Sequence, residues 1–257
     1  MLNDNFFSWK RFSAYFRKLW VERWRTNLLR FGILFGLMLL ISMWLSMMTY
    51  PGSREYFSGD NSTDPVHIPQ FGIFAVIFLL SGCVMATDML QGARNKSERI
   101  SALTFPVTPF ENWLARWTMS VPLFIIAYFT CLYTVDSIRV AIFGTLFNKL
   151  YIAYMPLFPS IFREGQMYLW LFYFYTTAIY VLGGVFFPRK PFLKTSVFVF
   201  ILFWIGLFVQ FGVALLSFND DHGFAHYALT TFFWASVVLL WWLSYLRFKE
   251  LEVIDRL

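Results

Sequence analysis

Residues 71–90 read FGIFAVIFLLSGCVMATDML, an apolar run in which Asp88 is the only charged side chain. About 20 apolar residues are what an α-helix needs to cross the hydrocarbon core of a bilayer. The run lacks the alternation of apolar and polar residues that is typical of a membrane β-strand. Because only helices and closed barrels satisfy every backbone polar group inside lipid, the stretch predicts a membrane-spanning helix.

Five further runs have similar length and character, at residues 28–48, 114–135, 167–187, 192–216 and 227–246. The whole chain of 257 residues is 58% hydrophobic and 22% aromatic, and only 14% of it is charged. A soluble domain carries about a quarter charged residues. The predicted fold class is therefore an all-α polytopic membrane protein with six transmembrane helices.

The distribution of basic residues sets the expected topology. With six spans and both termini in the cytosol, 17 of the 21 lysines and arginines face the cytosol. A seventh span over residues 140–162 would move Arg189, Lys190 and Lys194 to the outside, against the positive-inside rule. We therefore expect residues 140–162 at the outer membrane interface. The net charge of +6 then indicates topology and gives no support to a nucleic-acid partner.

The N-terminal segment, residues 6–25, has the pattern of an amphipathic helix. Its aromatic and aliphatic residues recur at helical spacing, at Trp9, Phe12, Phe16, Leu19, Trp20 and Trp24. Its basic residues occupy the other side, at Lys10, Arg11, Arg17, Lys18 and Arg25. The pattern favours a helix that lies in the cytosolic membrane interface over a soluble tail that packs on a partner. The expected domains are this interfacial helix, residues 1–26, and a six-span transmembrane domain, residues 27–257.

Residues 95–117, NKSERISALTFPVTPFENWLARW, are charged and polar and lie between two apolar runs. Thr108 and Glu111 have the spacing of a capping box, with Pro109 at the first helical position. We expect a helix to begin at Pro109 and to continue into the third span. A short helix over residues 96–104 should precede the break at Pro106. Together these features predict a rigid cytosolic loop over residues 92–113.

This stretch resembles the cytosolic loop of type-2 ABC exporter permeases. The resemblance covers about a tenth of the chain and is carried by Glu98-Arg99, Leu103, Pro106-Val107-Thr108 and Glu111. The chain departs from the family pattern at Ile100-Ser101, where a Gly-Thr pair is usual. The resemblance implies that residues 95–104 form a coupling helix. It also implies a set of residues that couple the chain to an ATPase: Lys96, Glu98, Arg99, Leu103, Pro106, Thr108 and Glu111.

The same resemblance implies the partners. Two permease subunits, identical or different, would pair in the lipid of a bacterial inner membrane and recruit two cytosolic ABC ATPase subunits. The sequence contains no phosphate-binding G-x-x-x-x-G-K-[ST] motif. We therefore expect no cofactor in this chain and no enzymatic activity of its own, with ATP-Mg bound and hydrolysed by the separate ATPase.

Of the ionisable residues inside or near the ends of predicted spans, Asp88, Asp136 and Arg139 are the candidates for function, since an ionisable side chain in a span suggests function by default. Asp88 lies near the cytosolic end of its span, where a cap or a partner for Arg94 is favoured over a transport role. Asp136 and Arg139 are three residues apart, which places them on one helix face where they can pair. An outer structural anchor is favoured there over ion coupling.

A second function class stays open. His222 and His226 are four residues apart, beside Asp220 and Asp221, so they could ligate a metal if they lay on one helix. Gly223 argues against a firm helix at that point, so we predict no metal site. The alternative to an exporter is a membrane-embedded enzyme, or a structural subunit of a larger envelope complex, without an ATPase partner.

Overall fold

Every regular element in the described part of the chain is an α-helix, as the continuous apolar runs require. In chain order these elements are α1 (Trp9–Gly52), α2 (His67–Asp88), α3 (Pro109–Ser120), α4 (Pro122–Leu146), α5 (Gln166–Phe186), α6 (Pro191–Leu216) and α7 (His222–Ile254). The computed structural model describes residues 7–52, 64–89, 107–146, 152, 154–155, 166–187, 190–216 and 222–254. The backbone alone is described at residues 52, 166–168, 203, 205–216, 222–230 and 251–254.

The helices have the length and composition of membrane spans. Among the described residues, five stretches are long and apolar enough to cross a bilayer: α1, α2, α3 together with α4, part of α5 and part of α7. In α6, residues 191–202, the continuous part whose side chains are described, are apolar but form a shorter stretch. Many large apolar side chains on these helices are exposed, among them Leu40, Trp44, Val76 and Ile126. A soluble protein would bury such surface, so the prediction of a helical membrane-type fold is confirmed, while the count of six spans stays a prediction.

Helix α1 differs from the expected arrangement. We predicted an interfacial helix that ends near residue 26 and a separate span over residues 28–48, but the structure has one helix of 44 residues. Residues 21–30, VERWRTNLLR, contain no proline or glycine, so nothing in the sequence interrupts the helix there. At 1.5 Å per residue the helix is about 66 Å long, roughly twice the thickness of the hydrocarbon core.

The third predicted span is interrupted. Helix α3 ends at Ser120, Val121 has φ −107° and ψ −71°, and α4 begins at Pro122. Proline has no N–H to donate and its ring clashes with the preceding turn, so it breaks the ladder of hydrogen bonds. Helix α3 begins at Pro109 and enters the third predicted span, as expected, and a single residue, Val121, separates it from α4. Helix α4 also runs on to Leu146, so residues 140–146 continue a helix that we had expected to end before them.

The last helix is longer than its apolar run. Helix α7 begins at His222 and continues to Ile254, eight residues beyond the end of the predicted run at residue 246. Gly223 lies inside its first turn, so the expectation that this glycine prevents a helix was wrong. Arg247 and Glu250 pair at 2.7 Å on the exposed extension. Such i,i+3 pairs stabilise an exposed helix by a few tenths of a kcal/mol.

The chain folds as two compact units. Unit 1 consists of Met1–Arg17, Gly82–Val121 and Leu169–Leu257, and unit 2 of Lys18–Ser81 and Pro122–Tyr168.

The core of unit 1 joins α2, α3, α5 and α7. Cys83, Trp113, Val181 and Phe248 are buried in one apolar cluster. Two helix backbones approach closely at Gly184, where an added Cβ would lie 3.1 Å from the carbonyl oxygen of Thr87. Small residues permit this close packing between helices in lipid, where the hydrophobic effect does not drive helices together.

The core of unit 2 is aromatic. Phe78 on α2 packs against Phe124 and Tyr128 on α4, with ring centroids 6.0 and 4.8 Å away. The Tyr128 hydroxyl donates to the carbonyl oxygen of Phe74 at 2.7 Å. This bond satisfies a buried polar group that would otherwise be costly in an apolar setting.

Candidate functional site

The start of α3 has the predicted capping box. The Thr108 hydroxyl accepts from the Glu111 N–H at 3.3 Å, and the Glu111 carboxylate accepts from the Thr108 N–H at 3.0 Å. Pro109 occupies the first helical position, where its missing N–H costs nothing. The prediction made for these three residues is confirmed.

The same carboxylate also holds the start of α1. The Oε1 atom of Glu111 accepts from the backbone N–H of Ser8 at 2.7 Å and from Nη2 of Arg11 at 3.2 Å. Glu111 is fully buried, whereas the Arg11 side chain is 34% exposed. One carboxylate therefore receives donors from the first turns of two helices, at the ends where a negative charge is most favourable.

A second set of bonds continues this contact. The Tyr15 hydroxyl donates to Oδ1 of Asn112 at 2.8 Å, and Nε of Arg116 donates to the same oxygen at 2.9 Å. Arg116 also reaches the Tyr15 hydroxyl with Nη2 at 3.4 Å. All three side chains are buried. We call this set the amino-terminal polar cluster; its members are Ser8, Arg11, Tyr15, Thr108, Glu111, Asn112 and Arg116.

Of the residues predicted to couple to an ATPase, the structure describes Thr108 and Glu111. Lys96, Glu98, Arg99, Leu103 and Pro106 lie outside the described residues, and so does the predicted short helix over 95–104. Glu111 proves to be a buried joint between two helices and not a surface charge. The residues that bond to it from α1 lie about 100 positions away in the chain, and no local pattern pointed to them.

Asp136 and Arg139 form the predicted pair, with Nε of Arg139 donating to Oδ1 of Asp136 at 2.9 Å. The structure adds a second carboxylate, Asp64, which accepts from Nη1 of Arg139 at 2.8 Å. The Tyr50 hydroxyl bonds to both Arg139 and Asp64. The N–H of Met155 donates to Oδ2 of Asp136 at 2.7 Å. We call these residues the aspartate–arginine cluster.

This cluster has the geometry of an anchor. Arg139 is fully buried and lies between two buried aspartates, so its charge is balanced by hydrogen-bonded partners. The partners come from the end of α1, the residues just before α2, the middle of α4 and the backbone at Met155. His67 adds a contact, with Nε2 3.6 Å from Oδ2 of Asp64. The guanidinium bonds to Tyr50, Asp64 and Asp136, and Asp136 in turn accepts from the Met155 N–H. A cluster that joins four segments in this way agrees with the structural role favoured from the sequence over ion coupling.

The remaining polar residues singled out in the sequence, Asp88, His222 and His226, belong to neither cluster. Asp88 is the last residue of α2, while Arg94 lies outside the described residues. His222 and His226 lie on α7, where only the backbone is described. No group of three or more metal-binding side chains occurs in the parts of the chain whose side chains are described.

Scans against protein-family models, curated proteins and solved structures find no match to this chain.

Proposed function

We propose that this chain is the transmembrane permease subunit of an ATP-driven ABC exporter. The observation that carries the proposal is the joint at Glu111. In the predicted topology, the loop that ends at Thr108 faces the cytosol, and Glu111 ties that end to α1 and α3 at once. Such a joint suits a loop that must pass on a movement imposed by a cytosolic partner.

The mechanism follows from which parts can move together. A short helix over residues 95–104 docks in a groove of the ATPase, and ATP-driven closure of the ATPase pair displaces it. The displacement reaches Thr108, and the three bonds to the Glu111 carboxylate pass it to the first turns of α1 and α3. Helix α3 is about 18 Å long and is fixed at its start by a capping box, so it moves as one piece as far as Val121.

The partners follow from the same proposal. Two permease subunits, identical or different, pair in a bacterial inner membrane, with both termini in the cytosol, and bind two ABC ATPase subunits. The ATPase binds ATP-Mg and hydrolyses it. The permease itself catalyses no reaction and moves the substrate across the membrane when the ATPase closes.

The test is co-purification of the chain from its native membrane, followed by identification of the bound proteins by mass spectrometry. We expect an ABC ATPase with the wild type, and less of it with Glu98→Arg or Arg99→Glu. A reversed charge in a complementary interface should weaken association by about 1–3 kcal/mol. Transport and stimulation of the ATPase should fall together with it.

The chain offers matched controls for these reversals. Glu250→Arg and Arg247→Glu reverse the same charges on an exposed helical pair near the C-terminus. They should leave the recovered ATPase unchanged. Full recovery of the ATPase and normal transport in all four variants would mean that residues 95–104 only connect two spans. Recovery of the chain without any ATPase would count against the exporter.

A further inference from the structure

Arg116 is a buried cation whose hydrogen bonds are incomplete. The residue is 4% exposed, and its Nη1 atom is buried without a partner among the residues that the structure describes. Its other nitrogens contact Asn112 and Tyr15, which are both neutral. A buried guanidinium normally has a carboxylate or phosphate partner, because leaving the charge unpaired away from water is costly.

The amino-terminal polar cluster cannot supply the missing charge. It contains two arginines, Arg11 and Arg116, and one carboxylate, Glu111, so it carries one uncompensated positive charge. Both oxygens of Glu111 are taken up by Ser8, Arg11 and Thr108. Within the described part of the chain no carboxylate pairs with Arg116. The aspartate–arginine cluster shows the contrast, because there a buried arginine has two aspartates.

We propose that Arg116 binds the phosphate group of an anionic phospholipid. A guanidinium presents its N–H groups as a planar fork that matches phosphate oxygens. Arg11 belongs to the same cluster, and its side chain is 34% exposed. Next to it the first turns of α1 expose Trp9, Lys10 and Arg17. Aromatic and basic side chains in one short helical stretch are typical of contact with anionic headgroups.

The proposal depends on the membrane setting and does not depend on an ATPase partner. It is therefore tested on the isolated chain. Lipid-depleted protein in neutral detergent is mixed with phosphatidylglycerol, with phosphatidylcholine or with inorganic phosphate. Bound lipid is counted by native mass spectrometry, and the unfolding temperature is measured in each mixture.

The wild type should bind phosphatidylglycerol at least about tenfold more tightly than phosphatidylcholine, and Arg116→Gln should lose this preference. Asn112→Asp should also lose it, because the new carboxylate would lie where Oδ1 of Asn112 now accepts from Arg116 at 2.9 Å. Unlike Arg116→Gln, it should unfold at the same or a higher temperature than the wild type without lipid. If Arg116 had only a structural role, Asn112→Asp would not change the preference for phosphatidylglycerol.

Arg247→Gln is the control, since it removes a positive charge that already has the Glu250 carboxylate as a partner. It should keep the wild-type preference. The same preference in Arg116→Gln or in Asn112→Asp would overturn the proposal, as would an equal loss in Arg247→Gln. If Arg116→Gln does not fold, Asn112→Asp decides. If inorganic phosphate alone gives the whole rise in unfolding temperature, the site binds free phosphate and the proposal of a lipid ligand is overturned. If inorganic phosphate has no effect, the result supports a lipid ligand.

Discussion

Replacing Glu111 with glutamine tests the joint between α1 and α3 most directly. The substitution keeps the shape of the side chain but removes the charge that pairs with Arg11. It also turns one acceptor atom into a donor. With the amide oxygen at the position of Oε1, the new NH₂ group faces the N–H of Thr108, which then has no acceptor.

The magnitude follows from two contacts, the ion pair with Arg11 and the bond from the Thr108 N–H. Removing one member of a buried ion pair costs about 3–5 kcal/mol, but Arg11 is 34% exposed and water can solvate it in the variant. An unsatisfied buried N–H costs about 1–3 kcal/mol. We therefore expect Glu111→Gln to lower the free energy of unfolding by about 3 kcal/mol, and to speed hydrogen exchange at the amides of residues 8–15.

Glu22→Gln is the matched control on α1. Glu22 pairs with Lys18 at 3.7 Å and its side chain is 51% exposed. Removing such a surface pair should change the free energy of unfolding by no more than about 0.5 kcal/mol. Both variants are measured by reversible unfolding in detergent, with hydrogen exchange followed by mass spectrometry. If Glu111→Gln behaves like Glu22→Gln in both, the carboxylate does not hold the two helices together and the reasoning fails.

Three further predictions follow from other parts of the chain. Arg139→Met removes the arginine that pairs with the buried Asp64 and Asp136 carboxylates. It should destabilise by about 3–5 kcal/mol in the same unfolding assay, whereas a loss below about 1 kcal/mol would refute the anchor. Gly184→Ala should destabilise by about 1–3 kcal/mol because its Cβ would press on the Thr87 carbonyl. Gly32→Ala is the control and should be neutral or stabilising, since no atom lies within 4 Å of the added Cβ. Equal effects of the two substitutions would contradict the close packing at Gly184. In a background without Cys83 and Cys131, a cysteine at position 60 should react with an impermeant reagent in intact cells and one at position 97 should not, and the reverse pattern would overturn the topology.

Contacts between neighbours in the sequence were predictable, and contacts across the fold were not. The capping box and the pair between Asp136 and Arg139 both join residues three positions apart, so spacing alone places them together. Tyr15 and Asn112 are 97 positions apart, and nothing in a single sequence states that two such residues meet. The one usable signal was Arg116, a charge inside the start of a predicted span, because a charge in that position needs a partner.

The errors in the predicted elements have a simple cause. Hydropathy marks where a chain is apolar, but breakers decide where a helix ends. Pro122 lies inside the third apolar run, and its effect on Val121 could have been anticipated. Conversely, α1 passes from a charged stretch into an apolar one without a break because no breaker lies between them.

The two buried polar clusters explain how a chain with so much apolar surface can specify one arrangement of its helices. Between helices in lipid, apolar contacts are nearly interchangeable with lipid contacts, so they give little preference for one neighbour over another. A buried arginine is different, because only one arrangement brings it to its partners and every other leaves a charge unpaired. In unit 2 that condition is met within the chain, since Asp64 and Asp136 both bond to Arg139. In unit 1 the Glu111 carboxylate has all its hydrogen-bond donors, but Arg116 has no charged partner among the described residues. This difference is why we place the ligand site at Arg116 and assign the aspartate–arginine cluster to stability.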